Sequence, residues 1–294
     1  MKILCIGNTS YDITMIVDSY PIENKKMRLE HEIVECGGGS ASNAAVLLSH
    51  WGVNTYLAST IGTDYYGEKI AKEFKKFQVN TKYLEYQDCK TTVSFIITNT
   101  KTGTRTIMTS KDKNLRYNKL IDEKFDYILV DGEHFEVAYN TIKNSHSKVL
   151  IDAGRVTDNI LKLCHVSDYI VCSNDFARVY TGIDFKYDDL DTLKLVYDKI
   201  QNDFKGQVII TLESFGSVIK NNNEYIVVPS IKEKVVDSTG AGDIYHASLL
   251  YFISQGYKIL DAMRYANITG AISVTRVGGR YSIPDLSEVT GYVK

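Results

Sequence analysis

The chain has 294 residues, 44% apolar and 24% charged, and a formal net charge of −2. That length suits one large domain, with or without an appendage, and the near balance of charge without a basic tail or stripe argues against a nucleic-acid surface. No run of about 18 apolar residues occurs, which argues against a membrane span, and Met1-Lys-Ile-Leu-Cys-Ile-Gly7 is too short an apolar run for a signal peptide.

In chain order, Ile3–Ile6 reads as a strand that leads into polar Asn8-Thr9-Ser10. Ile13–Val17 and Ile33–Cys36 read as extended segments without a crossover helix. The glycine cluster Cys36-Gly-Gly-Gly-Ser-Ala-Ser-Asn-Ala-Ala45 then runs into a helix over Ser42–Trp51, stopped by Gly52. A strand over Thr55–Ile61 and a helix over Tyr66–Phe77 follow. Thr92–Thr98 and Thr104–Thr109 form a hairpin turning at Lys101-Thr102-Gly103. Strands at Tyr127–Val130, Val149–Asp152, Tyr169–Cys172 and Val208–Thr211 alternate with helices at Val137–Asn144, Asp158–His165 and Leu190–Phe204. Such alternation predicts an α/β fold, three-layer αβα with a mostly parallel central sheet. The extended segments predict a small β-sheet lid, its pieces at approximately 12–36 and 91–110, inserted in one domain covering 1–294.

Near the C-terminus a strand-like Lys234-Val235-Val236 precedes Asp237-Ser-Thr-Gly-Ala-Gly-Asp243, which opens the helix-periodic run Ala247–Ile253. Helix starts carry free N–H groups and partial positive charge, and glycine lets a ligand approach the backbone. The amides of Ala241, Gly242 and Asp243 therefore suit a phosphate, and the Asp243 carboxylate beside them suits a general base. A tight turn at Gly240 and Gly242 with Asp243 as a cap is the competing reading. The glycine cluster at 37–39 suits a polyol surface, with Asn43 both donating and accepting or capping the helix. A dinucleotide site also stays open, since Asp64 closes the second strand at about the required distance.

Two separated signatures in this order resemble the ribokinase-like (PfkB) family of carbohydrate kinases over essentially the whole chain. They are Gly38-Gly-Ser-Ala-Ser-Asn-Ala-Ala45, continuing to Gly52 and Gly62, and Asp237 to Asp243. The resemblance implies Asp243 as base, with Gly240, Ala241 and Gly242 as the anion hole. It implies sugar contacts at Asp12, within Gly7-Asn-Thr-Ser-Tyr-Asp12, and at Gly39, Ser40 and Asn43, with Asp131-Gly-Glu133 as a polar wall. The nucleotide side falls on Ser173, on Thr211 and Gly216 of Thr211-Leu-Glu-Ser-Phe-Gly216, and on Asn267. Arg105 in the hairpin is a solvated strand residue or a contact to an anionic group of the substrate. Three positions depart from the family pattern. Its N-x-x-E element reads Ser173-Asn-Asp-Phe176, Glu213 takes the glycine of T-x-G, and Ser40 replaces the lysine of ribokinase.

The implied activity is transfer of the γ-phosphoryl group of ATP to a primary hydroxyl of a small carbohydrate, with Mg2+ on the phosphates. K+ beside Asp237 and Thr239 is implied by the resemblance alone. A nucleoside kinase, a non-catalytic sugar or nucleotide sensor and a dinucleotide oxidoreductase are the alternatives. His246 reads as packed or on the nucleotide side, since no second histidine is spaced with it. Five scattered cysteines, Cys5, Cys36, Cys89, Cys164 and Cys172, suit reduced thiols in a cytoplasm. The small lid exposes apolar side chains and strand edges, and pairing two lids in a homodimer would cover them.

Overall fold

The computed structural model describes residues 1–292. The chain runs β1 (Lys2–Ile6), β2 (Ser10–Val17), β3 (Val34–Gly38), α1 (Ser40–His50), β4 (Asn54–Gly62), α2 (Tyr65–Lys76), β5 (Leu84–Gln87), β6 (Val93–Asn99) and β7 (Thr104–Ser110). It continues through β8 (Tyr127–Val130), α3 (Phe135–Lys143), β9 (Lys148–Ala153), α4 (Asp158–Cys164), β10 (Tyr169–Cys172), α5 (Asn174–Thr181), α6 (Leu190–Asp203) and β11 (Gln207–Thr211). Last come β12 (Ser217–Asn221), β13 (Glu224–Val228), α7 (Ala241–Ser254), α8 (Ile259–Ser273) and α9 (Leu286–Gly291).

The large sheet has the order β13-β12-β11-β10-β9-β8-β1-β4-β5. From β5 to β11 every pair is parallel, and β11–β12–β13 is an antiparallel edge. Successive side chains of a strand point to opposite faces, so a sheet covered on both sides needs continuous apolar runs. In β8, Leu129 joins the core under α1, α2, α7 and α8, while Ile128 and Val130 join the core under α3 to α6. The parallel direction brings the carboxyl ends of β1, β4, β8, β9, β10 and β11 to one edge, where α/β proteins bind their ligands.

The second sheet has the order β3-β2-β6-β7, with β2–β6 parallel and the outer pairs antiparallel. β7 is exposed along its whole length, and Phe95, Ile107 and Met108 present apolar surface. β2 and β3 overlap the predicted segment 12–36, of which residues 18–33 form no strand, and β6 and β7 fall within 91–110.

Lys234–Val236 forms no strand, contrary to the expectation from its β-branched residues. β13 already closes that edge of the large sheet. The segment is instead pinned to the end of α8, Val236 and Asp237 both donating from their backbone N–H to the carbonyl of Val274, at 2.7 and 3.1 Å.

Candidate active site

The first glycine run enters α1 directly from β3, at the junction of the two sheets. Gly39, not Asn43, caps the helix, because its φ of +94° is open to glycine and its carbonyl accepts the Asn43 N–H at 2.8 Å. Asn43 is thereby placed one turn inside α1, and its side-chain amide donates to Asp243 Oδ2 at 2.8 Å. That single bond joins residues 200 positions apart and unites the two signatures.

Asp243 stands in the first turn of α7, behind Gly240 at φ +77°. The Ala241 N–H donates to the Ser238 carbonyl at 3.3 Å, and Ile244 closes the first helical bond to Gly240 at 2.9 Å. Among the described residues the N–H groups of Gly242 and Asp243 meet no protein acceptor, which is the expected condition of helix-start amides open to an anion. Gly242 is exposed, and a Cβ there would approach nothing closer than His246 Cε1 at 3.9 Å. Gly242 and Asp243 can thus offer two donors; the third predicted donor, Ala241, is largely engaged within the turn.

Burial pushes the Asp243 carboxyl above the ordinary carboxylate range, and the facing Asp152 adds to the push, while the Asn43 amide, His246 and the Ser40 hydroxyl oppose it. Asp152, at the end of β9, is itself pushed up to about 7, first by burial and then by Asp131. His246 lies one turn into α7 with only 6% exposure, its Nδ1 3.4 Å from Asp152 Oδ2 and neither ring nitrogen hydrogen-bonded. Burial pushes this imidazole down to about 4, so at neutral pH the contact is between a neutral ring and a carboxyl, not an ion pair. The sequence reading left His246 as packed or on the nucleotide side and did not single out Asp152, whose signal was its position at a strand end.

Asp12, in β2, is 5% exposed and accepts from Ser10 Oγ at 2.8 Å. Burial pushes it up to about 6, against Ser10 and Arg280. Asp131, at the end of β8, accepts from the N–H groups of Asn8, Ala41 and Glu133 at 2.8, 3.1 and 3.0 Å, tying the β1 loop to the start of α1. Glu133 pairs with Lys111 at 2.7 Å. Its wall continues into a cavity of about 310 Å3 that includes Tyr117 and His134, whose rings lie 5.3 Å apart.

Several expected contacts are taken up by the protein. Arg105 Nη1 donates to Ser238 Oγ at 2.6 Å, so this exposed guanidinium braces the turn before α7 and is not brought to Asp12 or Asn43. Asn267 commits its amide to Ser217 Oγ and the Val228 carbonyl, at 3.1 and 2.9 Å, and so anchors β12 and β13 to α8. Gly216 is fixed by crowding, since a Cβ there would meet Ser230 N at 2.7 Å. Ser173 caps α5 by accepting from Phe176 N–H at 3.0 Å, and the Thr211 hydroxyl bonds the Cys172 carbonyl at 3.3 Å. Asp64 caps α2 through Gly67 N–H at 3.0 Å and holds Thr91 through its N–H and hydroxyl, which consumes the acid that a dinucleotide site would need.

A monovalent cation does not fit Asp237 and Thr239 as they stand. The Asp237 carboxylate, 1% exposed, accepts from Thr239 N–H (3.0 Å) and Oγ1 (2.7 Å), Thr98 Oγ1 (3.2 Å) and Gly278 N–H (2.9 Å). Four donors already occupy its two oxygens, and the Thr239 hydroxyl is turned to donate. No cluster of three or more His, Cys, Asp or Glu side chains suited to a metal occurs among the described residues.

The family described as "pfkB family carbohydrate kinase" matches residues 1–286. The chain belongs to the pfkB family of carbohydrate kinases. The kinase is 24% identical to a nucleoside kinase of Methanocaldococcus jannaschii, over 98% of this chain and 95% of that protein. It is also 24% identical to the ribokinase of Bacillus subtilis, over 98% of each. Its fold matches Arabidopsis thaliana ribokinase complexed with ribose and ATP, with a TM-score of 0.81, 19% identity and coverage of 100% of this chain and 98% of that one. The kinase therefore has the ribokinase-like fold and is a phosphotransferase acting on an alcohol group.

Proposed function

We propose that the kinase transfers the γ-phosphoryl group of ATP to a primary hydroxyl of a small carbohydrate, with Asp243 as general base. The observation that carries this reading is the bond between Asn43 and Asp243 beside the free amides of Gly242 and Asp243. A hydroxyl held by Asp12, Ser40 and Asn43 meets, at Asp243, a carboxylate of raised proton affinity that can accept its proton during attack. The two amides face the developing charge on the transferred group, where preorganised donors act without reorganisation. Mg2+ carried on the nucleotide phosphates would neutralise their charge. Ser173 and Thr211, at the ends of β10 and β11, border the same sheet edge and suit the nucleotide side.

The small sheet serves as a lid that excludes competing water. Its exposed Phe95, Ile107 and Met108 support a homodimer formed lid to lid. Light scattering at micromolar concentration would report twice the chain mass, and a monomer mass with and without ligand would refute the dimer. No helix among the described residues is long and apolar enough to cross a membrane.

The test is ADP release with ATP and Mg2+ across a panel of pentoses, ketohexoses and nucleosides. Turnover with a pentose or hexose supports the reading. Sugar or nucleotide binding without turnover would support a sensor instead. A nucleoside acceptor is the second reading, favoured by the Tyr117–His134 ring pair in the cavity beyond Glu133.

A further inference from the structure

The Arg280 side chain is 0% exposed, although it ends in a charged guanidinium. Burying such a group is costly unless it is paired and hydrogen-bonded, and removing a partner is costlier still. Its partners are therefore informative. Nη1 donates to Glu73 Oε2 at 2.9 Å, from the last turns of α2. The same carboxylate accepts the Gly37 N–H, at 3.0 and 3.2 Å to its two oxygens. Nη2 donates to the Ser42 hydroxyl and reaches the Gly38 carbonyl at 3.5 Å. The pair thus grips the Gly37–Gly38 segment by its leading N–H and its trailing carbonyl. Gly38 in turn lies against Asp12, where a Cβ would come within 2.5 Å of Asp12 Oδ1.

The residues just before Arg280 hold the other half of the site. The Gly278 N–H donates to Asp237 Oδ2 at 2.9 Å. Gly279 packs on the anion-site turn: a Cβ on Gly240 would stand 3.0 Å from Gly279 Cα, and one on Gly279 would stand 3.4 Å from Asn43 Nδ2 and 3.5 Å from Thr239 Cγ2. Three consecutive residues from the α8–α9 connection therefore touch Asp237, the turn before Asp243, the amide that bonds Asp243, and the strand behind Asp12.

We infer that Arg280 is a positioning residue that, through its Glu73 pair and the 278–280 segment, fixes the acceptor-binding strand relative to the phosphoryl-binding turn. The guanidinium does not touch substrate; it holds the backbone that does. The kinetic half of the inference rests on the proposed carbohydrate kinase reading, while the positional half stands on the contacts above.

Both halves are testable with Arg280→Lys, which keeps the charge but cannot form the fork, with Arg280→Met and with Glu73→Gln. Hydrogen exchange of the full chain needs no substrate. Protection over residues 36–43 falls in each variant while α6 and the strands β9 to β11 keep theirs; uniform loss across the chain, or none, would overturn the inference. In turnover assays KM for the accepted sugar rises about tenfold or more, as expected for misplacement of a binding surface, while ATP affinity by calorimetry stays within about twofold. Equal loss of sugar and ATP affinity, or unchanged KM in folded variants, would overturn it. Absence of any sugar turnover in the unsubstituted kinase would sink the carbohydrate reading and leave the exchange result to decide the positional claim.

Discussion

The two glycine runs look alike in sequence, yet the structure gives them opposite surroundings. In the first, each glycine is demanded by protein atoms: a Cβ on Gly37 would lie 2.5 Å from Arg280 Cζ, one on Gly38 would crowd Asp12, and one on Gly39 would stand 2.6 Å from the Asn8 carbonyl oxygen. In the second, Gly240 supplies a left-handed turn, but Gly242 is helical, exposed and uncrowded. Glycine in a signature therefore has two physical meanings, close packing of the chain on itself and access for something else. Only the second is direct support for a ligand site.

Substitutions can break this contrast. The largest effect is expected at Asp243, where Asp243→Asn keeps the bond geometry available to Asn43 but removes the base, cutting kcat by about 10²–10⁴ with the fold intact. Near-normal turnover in the purified variant would sink the catalytic assignment. Next is Gly242→Ala. An uncrowded helical position gains up to about 1 kcal/mol of helix propensity from alanine, so the melting temperature holds or rises. Turnover falls by about 10², the loss typical of one oxyanion donor, because the methyl group occupies the approach to the free amides. A variant as active as the parent would mean that no anion is bound there.

Gly37→Ala should behave in the reverse manner. The added methyl group overlaps the buried Arg280–Glu73 pair, and overpacking of this kind costs about 1–3 kcal/mol. Thermal unfolding should show the loss with ATP affinity retained; an unchanged melting temperature would refute the crowding argument. The smallest effect concerns Asp152→Asn, read as a pH shift. Removing the carboxyl that faces Asp243 lowers the proton affinity of the Asp243 carboxyl, so the acid limb of the kcat/KM profile moves to lower pH. Stability supplies an independent check. The folded-state pKa of Asp152, about 7, lies above the unfolded value, so its contribution is fully present below the unfolded pKa and lost as pH rises through 7. The variant, free of that loss, should gain melting temperature over the parent more at pH 8 than at pH 5. An equal gain at both pH values would show that Asp152 is not buried with a raised pKa.

The α/β alternation, the parallel sheet and the small second sheet were legible in the sequence because each rests on local periodicity, as in Tyr127–Val130 and Tyr169–Cys172. The two signatures were legible for the same reason, since a loop entering a helix carries its glycines and its first amides in consecutive residues. What pairs across the chain was not. Asn43 meets Asp243, Asp152 on β9 faces His246 on α7, and Arg280 reaches Glu73 across 207 positions. No spacing rule links such residues. Tertiary packing also reassigned groups whose chemistry allowed two uses. Asp64, Asn267 and Asp237 have donors and acceptors suited to ligands, but the fold commits them to a helix cap, a strand anchor and a four-donor latch. A buried polar group must be satisfied by whatever the fold brings near, so its partner is a property of the packed molecule, whereas the strand, the helix and the free amide at its start are properties of the local chain.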